Sequence, residues 1–197
     1  MSQHDLCFVI MSYGKKSTPS GRTVDFDRLY RDAIKPGIQA AGLEPIRADE
    51  EITNGVIHTA MFERLVLCKF TVADITSASA NVFYELGVRH AAKPHTTLML
   101  FADSEKPPFD VNLMRAHAYK LNEAGEAANP AEIIEMIRTK LENAKKLAKE
   151  ASPSSDSPLF ELLPGYPDVR EEHTKSFQDQ VREQLMLRNR IADATTA

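Results

Sequence analysis

Apolar positions along the chain switch between a continuous run and a helical period. Residues 6–11, "LCFVIM", are apolar without interruption and are followed by the turn-rich "SYGKKSTPSG", the pattern of a strand buried on both faces. Phe26, Leu29, Tyr30, Ala33, Ile34, Ile38 and Ala41 then recur at helical spacing, so one side of a helix turns inward. Pro36 is expected to kink that helix and Gly42 to stop it.

The same alternation continues. A strand is expected at 43–47. Val56, Ile57, Ala60, Met61, Leu65 and Leu67 fit a helix, "KFTVAD" at 69–74 a third strand, "NVFYELGVRHAA" at 81–92 a third helix and "TTLMLFA" at 96–102 another buried strand. "HAYKL" at 117–121 is a weaker strand. Asn129, Pro130 and Glu132 read as an N-cap, a first-turn proline and a capping-box acid. They open a helix that presents Ile133, Ile137, Leu141, Ala144 and Ala148 inward.

Strands alternating with helices imply a doubly wound, flavodoxin-like α/β domain: a parallel sheet of about five strands with helices on both faces. It spans 1–150. Residues 151–158 contain "SPSSDSP" and have linker composition; residues 159–197 form a C-terminal helical arm with a charged helix from about 170 to 192. Phe177, Val181, Leu185, Leu187 and Ile191 of that arm suit burial against the core, a second subunit or another protein.

Composition narrows the partners. A chain of 197 residues with 43% apolar residues can build a substantial core without metals or disulfides. Its formal net charge of −4, with scattered Lys and Arg, offers no basic footprint for a nucleic-acid polymer. The first apolar run is too short for a signal core or a membrane span and no basic leader precedes it, which points to the cytoplasm and away from a membrane. Cys7 and Cys68 lie inside apolar segments without CxxC spacing, so neither metal binding nor redox chemistry is expected.

In such a sheet, ligands bind beyond the carboxyl ends of the strands. The residues leaving those ends are Tyr13 and Gly14, then Arg47 and Asp49, then Asp74. Glu85 lies early in the helix after Asp74, where the helix dipole favours a carboxylate, with Tyr84 beside it. Two readings of Glu85 stay open: a carboxylate aimed at an electrophilic carbon, or a dipole partner that pairs with Arg89 one turn on. Asn81 is expected to cap this helix. The long connection up to Arg22 is expected to act as a mobile lid.

The segment "ADITSASANVFYELGVRHA", with "CFVIMSYG" and "LYRDAIKPGIQAAGLEPIRADE", resembles the nucleoside 2-deoxyribosyltransferase-like superfamily. It is most similar to a bacterial branch related to Toll/interleukin receptor (TIR) domains and linked with signalling or antiviral defence. The resemblance covers residues 5–145, and its most specific part is Asn81-Val82-Phe83-Tyr84-Glu85-Leu86-Gly87. It implies cleavage of the N-glycosidic bond of a nucleoside, nucleotide or NAD, with Glu85 attacking the anomeric carbon and Asp74 helping to hold the substrate. Tyr84 is implied at the catalytic centre, Tyr13, Gly14, Arg47, Asp49 and Asn81 around the substrate, and no metal or cofactor. Where the transferases carry a further acid before this helix, the chain has Ser77-Ala78-Ser79-Ala80. That departure favours hydrolysis over base exchange and keeps open a catalytically silent, nucleotide-sensing or protein-binding module.

Two other α/β readings fail on residues. A phosphoacceptor receiver domain built on Asp74 needs acids just after the first strand, and "MSYGKK" has none. A dinucleotide-binding fold needs GxGxxG there.

Overall fold

The computed structural model describes residues 5–50, 57–107, 115–150 and 155–167. The strands are β1 (Asp5–Ile10), β2 (Lys15–Ser17), β3 (Thr23–Asp25), β4 (Leu43–Arg47), β5 (Phe70–Asp74), β6 (Thr97–Ala102) and β7 (Ala116–Tyr119). The helices are α1 (Phe26–Leu29), α2 (Lys35–Ala40), α3 (Ile57–Leu67), α4 (Ala80–Ala92), α5 (Pro130–Leu147) and α6 (Pro158–Leu162). The arm helix expected near 170–192 lies outside the described residues.

Five strands pair in the order β4-β1-β5-β6-β7, every pair parallel. This is the flavodoxin-like arrangement. The period of two in a strand sends alternate side chains to opposite faces, and β1 shows it: Cys7, Val9 and Met11 enter one core cluster, Leu6, Phe8 and Ile10 the other. The first cluster is closed by the α1–α2 segment and α5, the second by α3 and α4. Each large aliphatic or aromatic side chain so buried contributes about 1.5–3 kcal/mol before ordering costs. At Gly37 of α2 an added Cβ would meet the Ile137 Cβ of α5 at 2.8 Å, so the absence of a side chain lets the two helices touch.

Pro36 acts differently from a simple kink. A proline cannot donate to the residue four back and its ring crowds that carbonyl. The chain widens first into a π turn (Tyr30–Ile34), closed by the Lys35 N–H donating to the Tyr30 carbonyl, and Pro36 then sits in the first turn of α2.

The 12–25 connection, expected as a lid, forms an antiparallel hairpin of β2 and β3. Glu105, after β6, holds it: the carboxylate accepts from Thr18 Oγ1 at 2.6 Å, from the Ser20 N–H at 3.1 Å and from Ser20 Oγ. Desolvation pushes the Glu105 carboxyl up, but these bonds outweigh it and bring it below its ordinary value. Gly125 underlies the hairpin so closely that a Cβ would reach the Thr23 carbonyl oxygen at 1.9 Å.

The serine-rich stretch with linker composition is tied down in its described part. The Asp156 N–H donates to the Pro94 carbonyl at 2.9 Å, Asp156 Oδ2 accepts from the Thr97 N–H at 2.9 Å, and buried Ser157 donates to the His90 carbonyl at 2.7 Å. Beyond it, Leu162 and Leu163 of the arm stand exposed. Asn129 caps α5 as expected, accepting from the Glu132 N–H at 3.4 Å. Among the described residues, no helix is long and apolar enough to cross a membrane.

Candidate functional site

Strand order reverses between β1 and β5: the chain leaves β1 toward β4 and leaves β5 toward β6. The connections therefore splay apart at the carboxyl edge and open a crevice there. Ser12 and Ser77 span its floor, with Ser12 Oγ donating to Ser77 Oγ at 2.7 Å. Ser77 in turn accepts from the Ser79 N–H at 3.3 Å. Between them Ala78 has φ 48°, a left-handed backbone that costs a residue with a Cβ about 1 kcal/mol or more.

Tyr13, Arg47 and Asp49 gather beside this floor. Arg47 is 6% exposed, and its guanidinium meets Asp49 through two bonds, Nε to Oδ1 at 2.6 Å and Nη2 to Oδ2 at 2.5 Å. Asp27 Oδ1 lies 3.0 Å from Nη1; neither atom counts as hydrogen-bonded, so this is a charge contact with poor alignment rather than a third directed bond. The same guanidinium stacks 4.4 Å from the Tyr30 ring centroid and 5.1 Å from that of Tyr13. Two carboxylates and two rings thus occupy the cation. From sequence, Arg47 could meet a phosphate or form a structural ion pair with Asp49 or Glu50; the fold shows the pair with Asp49, and the guanidinium positions Tyr13 and Tyr30.

Asp74 lies under the crevice rather than in it. It is 0% exposed, and its carboxylate accepts from the Thr76 N–H at 3.1 Å and the Tyr119 hydroxyl at 2.7 Å. The Tyr119 proton is then spent, so Thr76 Oγ1, 2.8 Å away, donates to the phenol oxygen while accepting from the Ala102 N–H at 2.9 Å. Burial pushes Asp74 up to about 6 against these bonds. Each of its oxygens has a partner, and the group it steadies is the 75–79 loop.

Glu85 is different. It is half-buried, and among the described residues no hydrogen bond or ion pair engages its carboxyl. Burial alone pushes it up to about 7. The dipole was expected to keep it ionised. It sits in the second turn of α4, past the terminal turn where that field is strong, and desolvation wins. Its charge reaches Tyr13, whose hydroxyl is pushed up to about 12, first by burial, then by Glu85 and Asp49. Arg89 does not pair with it: that side chain is 0% exposed and points into the core.

The remaining expectations divide. Gly14 adopts φ +64°, and its carbonyl accepts from the Phe26 N–H at 3.0 Å, which turns the chain out of the floor into the hairpin. Asn81 is exposed and does not cap α4; Ser79 holds that position, without a side-chain bond. Tyr84 is 62% exposed and stacks edge-on against Phe62 of α3, 6.1 Å between centroids. Sequence reading placed Ser12 with Tyr13 and Gly14 at the strand end but missed Asp27, Tyr30, Thr76 and Tyr119, whose roles arise from neighbours far along the chain. Among the described residues, no group of three or more His, Cys, Asp or Glu is placed to hold a metal ion.

No protein-family model matches the chain, and no curated protein matches it.

Proposed function

We propose that the chain is an N-glycosidase that cleaves the bond between base and sugar in a nucleoside, nucleotide or NAD, with Glu85 as nucleophile. The single observation that carries this reading is Glu85 itself: a half-buried carboxyl with no partner among the described residues, beside the crevice where the strand order reverses. Ionised, its oxygen attacks the anomeric carbon as the bond to the base nitrogen breaks. The sugar becomes esterified to Glu85, and water then releases it. The departing base takes a proton from solvent or from Tyr13. Tyr13, 38% exposed, offers a ring face for a base or sugar, whereas Tyr30 is buried beneath Arg47. Because Asp49 and Asp27 already neutralise Arg47, this part of the crevice favours the uncharged portion of the substrate over a phosphate.

Asp74 serves this chemistry through the 75–79 loop rather than by touching the sugar. Ionisation of Glu85 is required, so turnover rises about tenfold per pH unit below 7 and levels off above it.

The second reading, a silent nucleotide-sensing or protein-binding module, is favoured by one feature: residues 77–80 carry no acid, and Ser77 is already bonded to Ser12. Free base released from a panel of nucleosides, nucleotides and NAD, followed by mass spectrometry, separates the two. The unaltered chain is expected to release base, and Glu85→Gln to lose at least about 10³-fold in rate while still binding the substrate. A 2-fluoro sugar nucleoside should release its base and add the mass of the fluorosugar alone to the peptide containing Glu85. Full activity in Glu85→Gln overturns the nucleophile; binding without release in both proteins establishes the module.

A further inference from the structure

The opposite edge of the sheet holds a cavity of about 280 Å³ that the crevice chemistry does not use. Its walls come from the starts of β6 and β7, the second half of α5 and the 155–156 segment. Arg115, just before β7, and His117, in it, both line the cavity. Lys140 and Asn143, three apart on α5, are neighbours on its surface. The fold thus converges two full cations, an imidazole and an amide on one space.

Arg115, Lys140 and Asn143 are exposed and His117 is half-buried, so the cations stand solvated at the mouth of this space, where an entering anion can meet them. Among the described residues no ion pair engages Arg115, His117 or Lys140. Burial, and then the charge of Lys140, hold the His117 imidazole below its ordinary value, a sign that the two sense each other. Asp156 is the acid in the lining, and it is committed elsewhere: Oδ2 accepts from the Thr97 N–H, and its charge acts on Arg89. Among the described residues its Oδ1 is buried without a hydrogen-bond partner. Donors approach from two sides, from 115–117 and from α5, which suits an oxyanion that presents oxygens in more than one direction. An unmet carboxylate oxygen in the wall suits an anion that brings its own proton.

We propose that this cavity is a second ligand site, built by Arg115, His117, Lys140 and Asn143, for a phosphate group, free or as a small monoester. Its volume lies at the lower end of the range for small-molecule sites. Because Ser155 and Asp156 form one wall, the occupied site ties the C-terminal segment to the sheet.

The test uses the full chain and the proton resonance of His117, assigned with His117→Gln. Adding inorganic phosphate should raise the His117 pKa, since an anion offsets Lys140, and Lys140→Gln and Arg115→Gln should each weaken binding by about tenfold or more. Sulfate, which carries no proton at neutral pH, should bind at least about tenfold more weakly. Adenosine 5′-monophosphate gives the second arm: tighter binding than inorganic phosphate assigns a monoester, weaker binding the free ion. An unmoved His117, an equal response to chloride at matched ionic strength, equal binding of sulfate, or unweakened binding in the folded double variant would overturn the site. The Glu85→Gln protein should respond like the unaltered one, so this result is independent of the crevice chemistry.

Discussion

Glu85 and Arg89 stand one turn apart on α4 and meet opposite fates. Arg89 reaches the amino edge of the sheet and is fully buried, donating from Nη1 to the carbonyls of Leu65 at 3.1 Å and Cys68 at 2.6 Å, and from Nη2 to that of Lys69 at 3.1 Å. Thr97 and Thr96 hydroxyls, each at 3.2 Å, complete its shell. Burial pushes its guanidinium down to about 10, still far above neutral, so it stays charged. The carbonyls it binds leave the end of α3 and the loop after it, groups that helix geometry orphans. At the other end of α4, Glu85 is half-buried with none of its oxygens engaged among the described residues. The contrast teaches what each residue does: the Arg89 charge is met by neutral acceptors and holds elements together, while the Glu85 carboxyl beside the crevice is left unmatched among the described residues.

Arg89→Met tests the first half of that contrast and has the largest expected effect on stability. It keeps the apolar stem and removes the guanidinium from the buried carbonyls of Leu65 and Cys68, while that of Lys69 keeps the Thr96 hydroxyl, at a cost of about 3–5 kcal/mol in denaturant unfolding. A cost under about 1 kcal/mol would show that water replaces the guanidinium readily.

Glu85→Gln probes the other half, with the opposite sign. Its folded pKa of about 7 lies above the ordinary 4.5, so the native state binds a proton more tightly than the unfolded chain between those values, and stability falls as pH rises through that window. Gln cannot ionise and escapes the penalty. After discounting for partial exposure, the variant should gain about 1–2 kcal/mol at pH 8 and nothing at pH 4. Equal stability at both pH values would mean that Glu85 has a partner in solution.

Smaller effects are expected where neutral hydrogen bonds replace charges. Tyr119→Phe removes the hydroxyl between Asp74 and Thr76 and should cost about 1–2 kcal/mol, more at pH 8 than at pH 5, because an ionised Asp74 suffers most from the missing donor. Asn129→Ala, which removes the cap of α5, should cost about 0.5–1 kcal/mol with no dependence on pH above 5. Thermal unfolding across pH separates these two.

Much of the fold was written locally. The apolar runs and helical spacings specified the main strands and helices because they reflect periods of two and 3.6 residues that any neighbour must respect. Arg89 shows the limit of such patterns: one expectation makes it a surface partner of Glu85, yet it recurs with Val82 and Leu86 at spacings of four and three and lies on the buried stripe of α4. The β2–β3 hairpin had no such signal, since "KKS" and "TVD" bury only Val24 between them.

By itself, then, the sequence determined a parallel α/β sheet and delivered Tyr13, Arg47, Asp74 and Glu85 to the neighbourhood of its carboxyl edge. Tertiary structure alone decided which of those charges remain available. Arg47 is taken first by Asp49, two residues along the chain, and α1 adds Asp27 beside it; Asp74 is consumed because β7 lies two strands away with Tyr119 at its end. Partnership depends on distance in space, and a periodic pattern carries no information about which strand lies next to which. Glu85 stays unengaged for the same reason: the nearest candidate along the chain, Arg89, is drawn to the other edge by carbonyls contributed from 65–69.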